Sequence, residues 1–268
     1  MQVKVSLDKI KLEYLDIPVI FIKLLEDEGE IADIKSIEGF RYHQCLKIQK
    51  TSGAYMKLYY QPKNEIWKPV GKLHIETHPN NIEAFSTLLN ALEKISKGVY
   101  FIATDVAFDI PVPLNNVFVT SNTGRKMNLF NGTRYFGGKG QRGKNGFCRI
   151  YDKKQELLKR GLIKDELTRV EIVYKSSGKI ELKELVQHPP SFNKYYSGWV
   201  INTDIRITPI YKAMIICLQN GDMTINEFSR HYRRVMKKQL NNQETINFDQ
   251  LIESEWFEQV SKINRFLL

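Results

Sequence analysis

Hydrophobic and polar residues change period several times along the chain, and each change marks a predicted element. Residues 41–49 and 54–61 are rich in aromatic and branched side chains on either side of Thr51-Ser52-Gly53, which predicts a β-hairpin. A third strand follows over 72–77. Ile82, Phe85, Leu88, Leu89, Leu92 and Ile95 then recur at helical spacing, and Gly98 stands where a helix C-cap is expected, so this helix should cover one sheet face. Segments 100–108, 133–136, 146–151 and 168–174 read as strands with short connections, giving an α+β fold with a mainly antiparallel central sheet flanked by helices. Asp152 can cap a helix running through Lys159, because Gln155 lies three residues on and Glu156 pairs with Arg160 at helical spacing. Tyr151 is therefore expected at a strand-to-helix junction. Beyond His188-Pro189-Pro190 the pattern becomes helical: 209–218, a turn at Asn220-Gly221-Asp222, then 224–240 opened by a Thr224/Glu227 capping box. The expected division is 1–190 for the α+β domain and 191–268 for a helical C-terminal unit that recognises DNA or dimerises.

Charge narrows the class of partner. Forty Lys and Arg against thirty Asp and Glu leave a formal charge of +10 on 268 residues, which favours a polyanion such as nucleic acid or an anionic membrane surface. The sequence contains no apolar run of membrane-spanning length, and residues 1–8 lack the features of a signal peptide, so a cytoplasmic protein is expected. Cys45, Cys148 and Cys217 are scattered, without the spacing of a zinc site or a disulfide framework, and read as reduced thiols.

Four groups of residues have the chemistry to do more than fold. Between Ser121 and Lys154 stand nine Lys or Arg, a single acid and seven of the sixteen glycines. Glycines let backbone amides approach an anion, and Arg142 and Lys144 fall at a hairpin tip; Arg134, Lys139 and Lys154 extend the basic set. The alternative is a solvated turn. Asp105 and Asp109 share a strand face, and Glu76 and Glu171 occupy comparable strand positions. Such carboxylates either share a hard cation, Mg²⁺ or Mn²⁺, or form salt bridges with residues such as Arg169 or Lys72. Tyr151 has Arg149 on its own face, and Lys153 and Lys154 begin the next helix, where charge building up on a phosphate can be offset. A phenol with an ordinary pKa near 10 is a poor nucleophile and needs a general base or a polarised phosphate; a tyrosine at a sheet edge more ordinarily packs. Helix 224–240 carries Ile225, Phe228, Tyr232 and Val235 on one stripe and Arg230, Arg233, Arg234, Lys237 and Lys238 on the rest. That suits a DNA groove or a basic surface helix, and with the preceding helix it resembles a helix-turn-helix without diagnostic spacing.

Taken in order, Ala103-Thr104-Asp105-Val106-Ala107-Phe108-Asp109, Thr133-Arg134-Tyr135-Phe136-Gly137, Phe147-Cys148-Arg149-Ile150-Tyr151-Asp152-Lys153-Lys154-Gln155-Glu156 and Thr168-Arg169-Val170-Glu171-Ile172 resemble the replication initiation factor family. These are rolling-circle initiators of small plasmids from Gram-positive bacteria, and the resemblance spans residues 70–175. It implies that Tyr151 is the nucleophile and that Asp105 and Glu171 are acidic metal positions. Glu76, in His74-Ile75-Glu76-Thr77-His78-Pro79, is a looser match, and Asp109 also fits the pattern. No His-hydrophobic-His triplet occurs among the five histidines, so a carboxylate-bound Mg²⁺ or Mn²⁺ is implied. The implied activity is nicking of one strand at a double-strand origin, giving a 5′-phosphotyrosyl link and a 3′-hydroxyl primer, and later rejoining. The implied partners are duplex and single-stranded origin DNA, a host helicase and a second copy of the chain, with no membrane. A mobile-element relaxase using the same chemistry and a non-catalytic DNA-binding regulator are the alternatives.

Overall fold

The computed structural model describes residues 2–27, 31–37, 41–162, 165–202 and 207–265. The first half of the chain supplies β1 (Lys4–Pro18), α1 (Ile22–Asp27), β2 (Ile31–Ser36), β3 (Tyr42–Lys50), β4 (Tyr55–Pro62), β5 (Val70–Thr77), α2 (Ser86–Ile95) and β6 (Val99–Ile110). Then come β7 (Val117–Ser121), β8 (Met127–Phe130), β9 (Thr133–Phe136), β10 (Cys148–Asp152), α3 (Lys153–Lys159) and β11 (Thr168–Glu181). The chain closes with β12 (Tyr196–Val200), α4 (Pro209–Asn220), α5 (Arg230–Leu240), β13 (Glu244–Ile246) and α6 (Phe248–Asn264). Ten strands form one sheet in the order β2-β3-β4-β5-β1-β6-β11-β10-β9-β8, and three form a second, β13-β12-β7. The α+β class with a large antiparallel sheet and flanking helices agrees with the hydrophobic pattern.

Contacts divide the chain into two compact units: 1–6, 106–174 and 190–255 in the first, and 7–105, 175–189 and 256–268 in the second. The second unit holds the expected hairpin, with Cys45 opposite Tyr59 and Leu46 opposite Leu58, and β5 beside β4 with Leu58 opposite Ile75. Strand β1, which sequence patterning did not single out, pairs with β5. Its inward positions Ile10, Leu12, Tyr14 and Ile17 are buried, but the alternation slips after Tyr14, where the register shifts and Asp16 adopts φ 56°. This is a β-bulge, which costs one extra residue and restores the apolar face beyond it. Leu88, Leu89 and Leu92 of α2 are buried as expected, but the helix starts four residues late, after two short 3₁₀ turns. Its C-cap is Ser96 in an extended conformation, not Gly98, because Ser96 already returns its N–H to Leu92 and Glu93. In this unit the indole Nε1 of Trp256 also donates to the carbonyl of Leu185 at 3.0 Å.

In the first unit, residues 190–255 stand together with 106–174. The reason is strand pairing: β12 lies between β7 and β13, with Trp199 opposite both Phe118 and Thr245. Phe108 adds edge contacts to Phe192 and Phe248, with centroids 6.1 and 5.0 Å away. Met214, Ile215 and Leu218 of α4 and Met236 and Leu240 of α5 close over Phe118 and Trp199. The predicted helix 224–240 is broken: Thr224 and Glu227 form the capping box on a 3₁₀ turn, Phe228 is extended, and Ser229 starts α5 afresh. Ile225 and Phe228 pack on the core from that turn, while Tyr232 is exposed, so the apolar stripe of α5 itself is Met236 and Leu240. The link between α4 and α5 runs over 221–229, too long for a helix-turn-helix, whose helices are joined by about three or four residues.

Helix α4 ends in a Schellman arrangement: Gly221 is left-handed at φ 79°, and the N–H of Asp222 reaches Cys217 at 3.0 Å. A Cβ on Gly221 would lie 2.7 Å from the carbonyl oxygen of Met127. Gly221→Ala is therefore expected to destabilise the protein by about 1–3 kcal/mol, read as a lower thermal midpoint; an unchanged midpoint would contradict this packing. Among the described residues Cys45, Cys148 and Cys217 form no disulfide. Among the described residues no helix is long and apolar enough to cross a membrane.

Candidate active site

Strand β10 ends at the site. Its apolar residues Cys148 and Ile150 are buried, so Arg149 and Tyr151 project from the opposite face. Pairing with β11 sets Arg149 opposite Glu171 and Tyr151 opposite Arg169, which brings two cations, a carboxylate and the phenol onto one face. Asp152 then leaves the strand and caps α3, accepting from the N–H of Gln155 at 3.1 Å, and Glu156 pairs with Arg160 at 2.6 Å. The junction expected at Tyr151 is present, fixed by a cap on its C-terminal side.

The Tyr151 hydroxyl donates to Glu171 Oε1 at 2.5 Å. Glu171 is 2% exposed and receives the Arg149 guanidinium on its other oxygen, while Arg169 Nη1 lies 3.9 Å from Oε1. Arg169 in turn grips Asp109 through two parallel bonds of 2.6 and 2.7 Å. Burial pushes the Tyr151 phenol well above its ordinary range, and the charge and hydrogen bond of Glu171 push it further. Burial opposes the charge of Arg169, but its hydrogen bonds and charge pairing with Asp109 more than offset this and hold it above normal. The phenol is thus protonated at neutral pH, with its proton already shared with a carboxylate. Beside it lies a cleft of about 460 Å³ lined by Tyr151, Asp152, Gln155 and Glu156 and, across from them, Asn131, Gly132 and Thr133.

The remaining expected residues fall in different places. Lys153 is buried with its ammonium 2.8 Å from Glu156 and 5.8 Å from the centroid of the Tyr151 ring. Lys154 pairs with Glu166. Arg134, expected to meet DNA, is 7% exposed and donates to the carbonyls of Leu114 and Val117 at 3.1 Å; burial lowers its pKa to about 10. Arg142 and Lys144 are exposed in the 137–147 loop between β9 and β10, as expected, and the side chain of Lys139 lies outside the described residues. Arg230, Arg233, Arg234 and Lys237 are exposed on α5.

Each of the four expected carboxylates is paired with a cation of the protein. Asp109 is held by Arg169 and Glu171 by Arg149, whereas Asp105 pairs with Lys9 at 3.2 Å and Glu76 with Lys11 and Lys57 at 2.7 and 3.6 Å. Among the described residues no three His, Cys, Asp or Glu side chains converge so as to hold a metal ion. Arg169, read from sequence only as a salt-bridge partner, is central here; its position two residues before Glu171 was the available signal. Asp109→Asn would replace the carboxylate that grips the largely buried Arg169 guanidinium with a neutral amide, and a loss of about 1.5–3 kcal/mol in unfolding free energy is expected by chemical denaturation. A variant as stable as the parent would contradict the pairing.

No protein-family model matches the chain, and no curated protein matches it. Among solved structures it is similar to the structure of a rolling circle replication initiator protein from Geobacillus stearothermophilus, at 14% sequence identity and a TM-score of 0.40, with 90% of this chain and 97% of that chain covered.

Proposed function

We propose that this chain breaks and rejoins one strand of DNA through Tyr151, acting as an initiator of rolling-circle replication. The observation that carries the reading is the Tyr151 hydroxyl hydrogen-bonded at 2.5 Å to a buried carboxylate that two guanidiniums flank. A phenol so placed can lose its proton as it attacks. The ordered motifs around residues 103–109, 133–137, 147–156 and 168–172 support the same reading.

In this account Tyr151 Oη attacks a backbone phosphorus while its proton passes to Glu171 Oε1. The Oη–P bond forms, the bond from phosphorus to the 3′ oxygen breaks, and that oxygen leaves as a hydroxyl after taking a proton from solvent. The product is a 5′-phosphotyrosyl link. Because one ester replaces another, the strand is rejoined by the reverse attack without a nucleotide cofactor. Arg149, whose side chain is 38% exposed, faces the charge that builds on the phosphate, and Arg169 holds Glu171 and Asp109 in place. Lys153 steadies α3 through Glu156. Arg142 and Lys144, on the loop between β9 and β10, and the cations of α5 are the contacts for phosphates. Origin duplex, a melted single strand, a host helicase and a second copy of the chain are the partners this reading requires, in the cytoplasm.

The direct test is incubation with a supercoiled plasmid carrying the cognate origin. Nicked and relaxed circles with protein bound at a 5′ end support the reading; retarded DNA of unchanged topology would make the chain a regulator. The expected dependence on a carboxylate-held Mg²⁺ or Mn²⁺ is tested by the same assay in chelator, where complete loss of nicking supports it and undiminished nicking opposes it.

A further inference from the structure

The face that carries Tyr151 continues towards the sheet edge over the half-buried Thr133 and Tyr135 to the exposed Phe130. β9 pairs with β10 so that Tyr135 stands opposite Arg149 and Arg134 opposite Ile150; one step further, Thr133 comes beside Tyr151, and both line the same cleft. β8 pairs with β9 so that Phe130 stands opposite Thr133 and Asn128 opposite Tyr135. Directly paired residues share a face, so Phe130, Thr133, Tyr151 and Arg169 form one lateral row and Asn128, Tyr135, Arg149 and Glu171 the next. Two strand spacings separate Phe130 from Tyr151, roughly 10 Å.

Phe130 is 59% exposed and directly precedes Asn131, Gly132 and Thr133, which line the cleft. It is also held rigidly. The β8–β9 connection is the two-residue turn Asn131-Gly132, with φ 47° and 74°, the tight primed geometry that fixes strand register. In the adjoining row the Arg142 guanidinium lies 5.4 Å from the centroid of the Tyr135 ring.

Resting on the nicking reading above, we propose that Phe130, with Tyr135 beneath Arg142, is a stacking platform for unpaired bases of the DNA strand whose phosphate reaches Tyr151. Flat aromatic faces beside phosphate-binding cations take single-stranded bases of any sequence, because every base has a π-face. The platform would grip the strand next to the scissile phosphate once it is melted, and a closed duplex, whose bases are already stacked, would gain nothing from it.

The test uses the full chain and a fluorescein-labelled single-stranded 20-mer carrying 2-aminopurine. Loss of one base-stacking contact by alanine substitution corresponds to roughly five- to 150-fold in affinity. Phe130→Ala should therefore weaken anisotropy-measured binding by that factor and relieve quenching of 2-aminopurine, while Phe130→Trp should restore both. Leu129, 51% exposed but opposite Arg134 on the other face, supplies the control: Leu129→Ala should bind as the parent does. Parent-like binding by Phe130→Ala, failure of the tryptophan to rescue, or an equal loss in Leu129→Ala would each overturn the platform. Covalent adduct measured in the same samples separates the two proposals. Adduct with binding indifferent to Phe130 removes the platform and keeps nicking; Phe130-dependent binding without adduct keeps the platform and removes nicking.

Discussion

Tyr151→Phe is expected to leave a folded protein that binds DNA and forms no covalent adduct at all. The substitution removes one oxygen and keeps the ring. The group it deserts, Glu171, is still bonded to Arg149 and lies 3.9 Å from Arg169, so no buried charge is orphaned. The cost in stability should stay near about 1 kcal/mol, the net worth of one hydrogen bond. Chemistry has no such reserve, because the hydroxyl that shares its proton with Glu171 is the one removed. Denaturing gel electrophoresis of protein mixed with labelled DNA checks this, with a melting curve as the folding control. An adduct that persists in the phenylalanine variant would remove Tyr151 from the mechanism.

Glu171→Gln should slow adduct formation by about 10²–10⁴-fold, the usual contribution of a positioned general base. The amide keeps the shape of the carboxylate but cannot accept the proton. Asp109 still holds Arg169, and Arg149 is exposed enough to turn to water, so the site should survive. The distinguishing signature is pH dependence. With no base, attack requires the phenol to ionise unaided, so the residual rate should climb with pH through the alkaline range, where the parent rate is level. A glutamine variant within tenfold of the parent at pH 7 would show that Glu171 is structural.

Much of the fold was legible because the sheet buries one face and its strands alternate accordingly: the hairpin of β3 and β4, strand β9, and the cap of α3 at Asp152 fall where periodicity and capping residues place them. What escaped was set by tertiary packing. β1 hides behind a bulge at Asp16 that breaks its period, and β12 and β13 are too short to signal themselves without knowledge of β7. α5 begins late because Phe228 is drawn onto the core around Trp199, which outweighs the helical periodicity of 224–240.

At the site, residue types were legible and partners were not. Tyr151 beside Arg149 followed from strand alternation, yet the bond from its hydroxyl to Glu171 depends on the register of β10 against β11, which no local pattern reveals. The acidic strand positions were legible, but their neighbours Arg169, Arg149, Lys9 and Lys11 were not. Arg134 shows the same limit. Its place in a basic, glycine-rich stretch was legible, whereas its burial and its bonds to the carbonyls of Leu114 and Val117 were not.

The central claim is that one particular tyrosine becomes covalently joined to DNA. The most direct measurement is tandem mass spectrometry of the protein after reaction with cognate supercoiled plasmid and nuclease trimming. The account predicts a nucleotide attached through phosphate to Tyr151, in the tryptic peptide covering residues 150–153. Nicked plasmid with the nucleotide on any other residue, or with none on the protein, would contradict it.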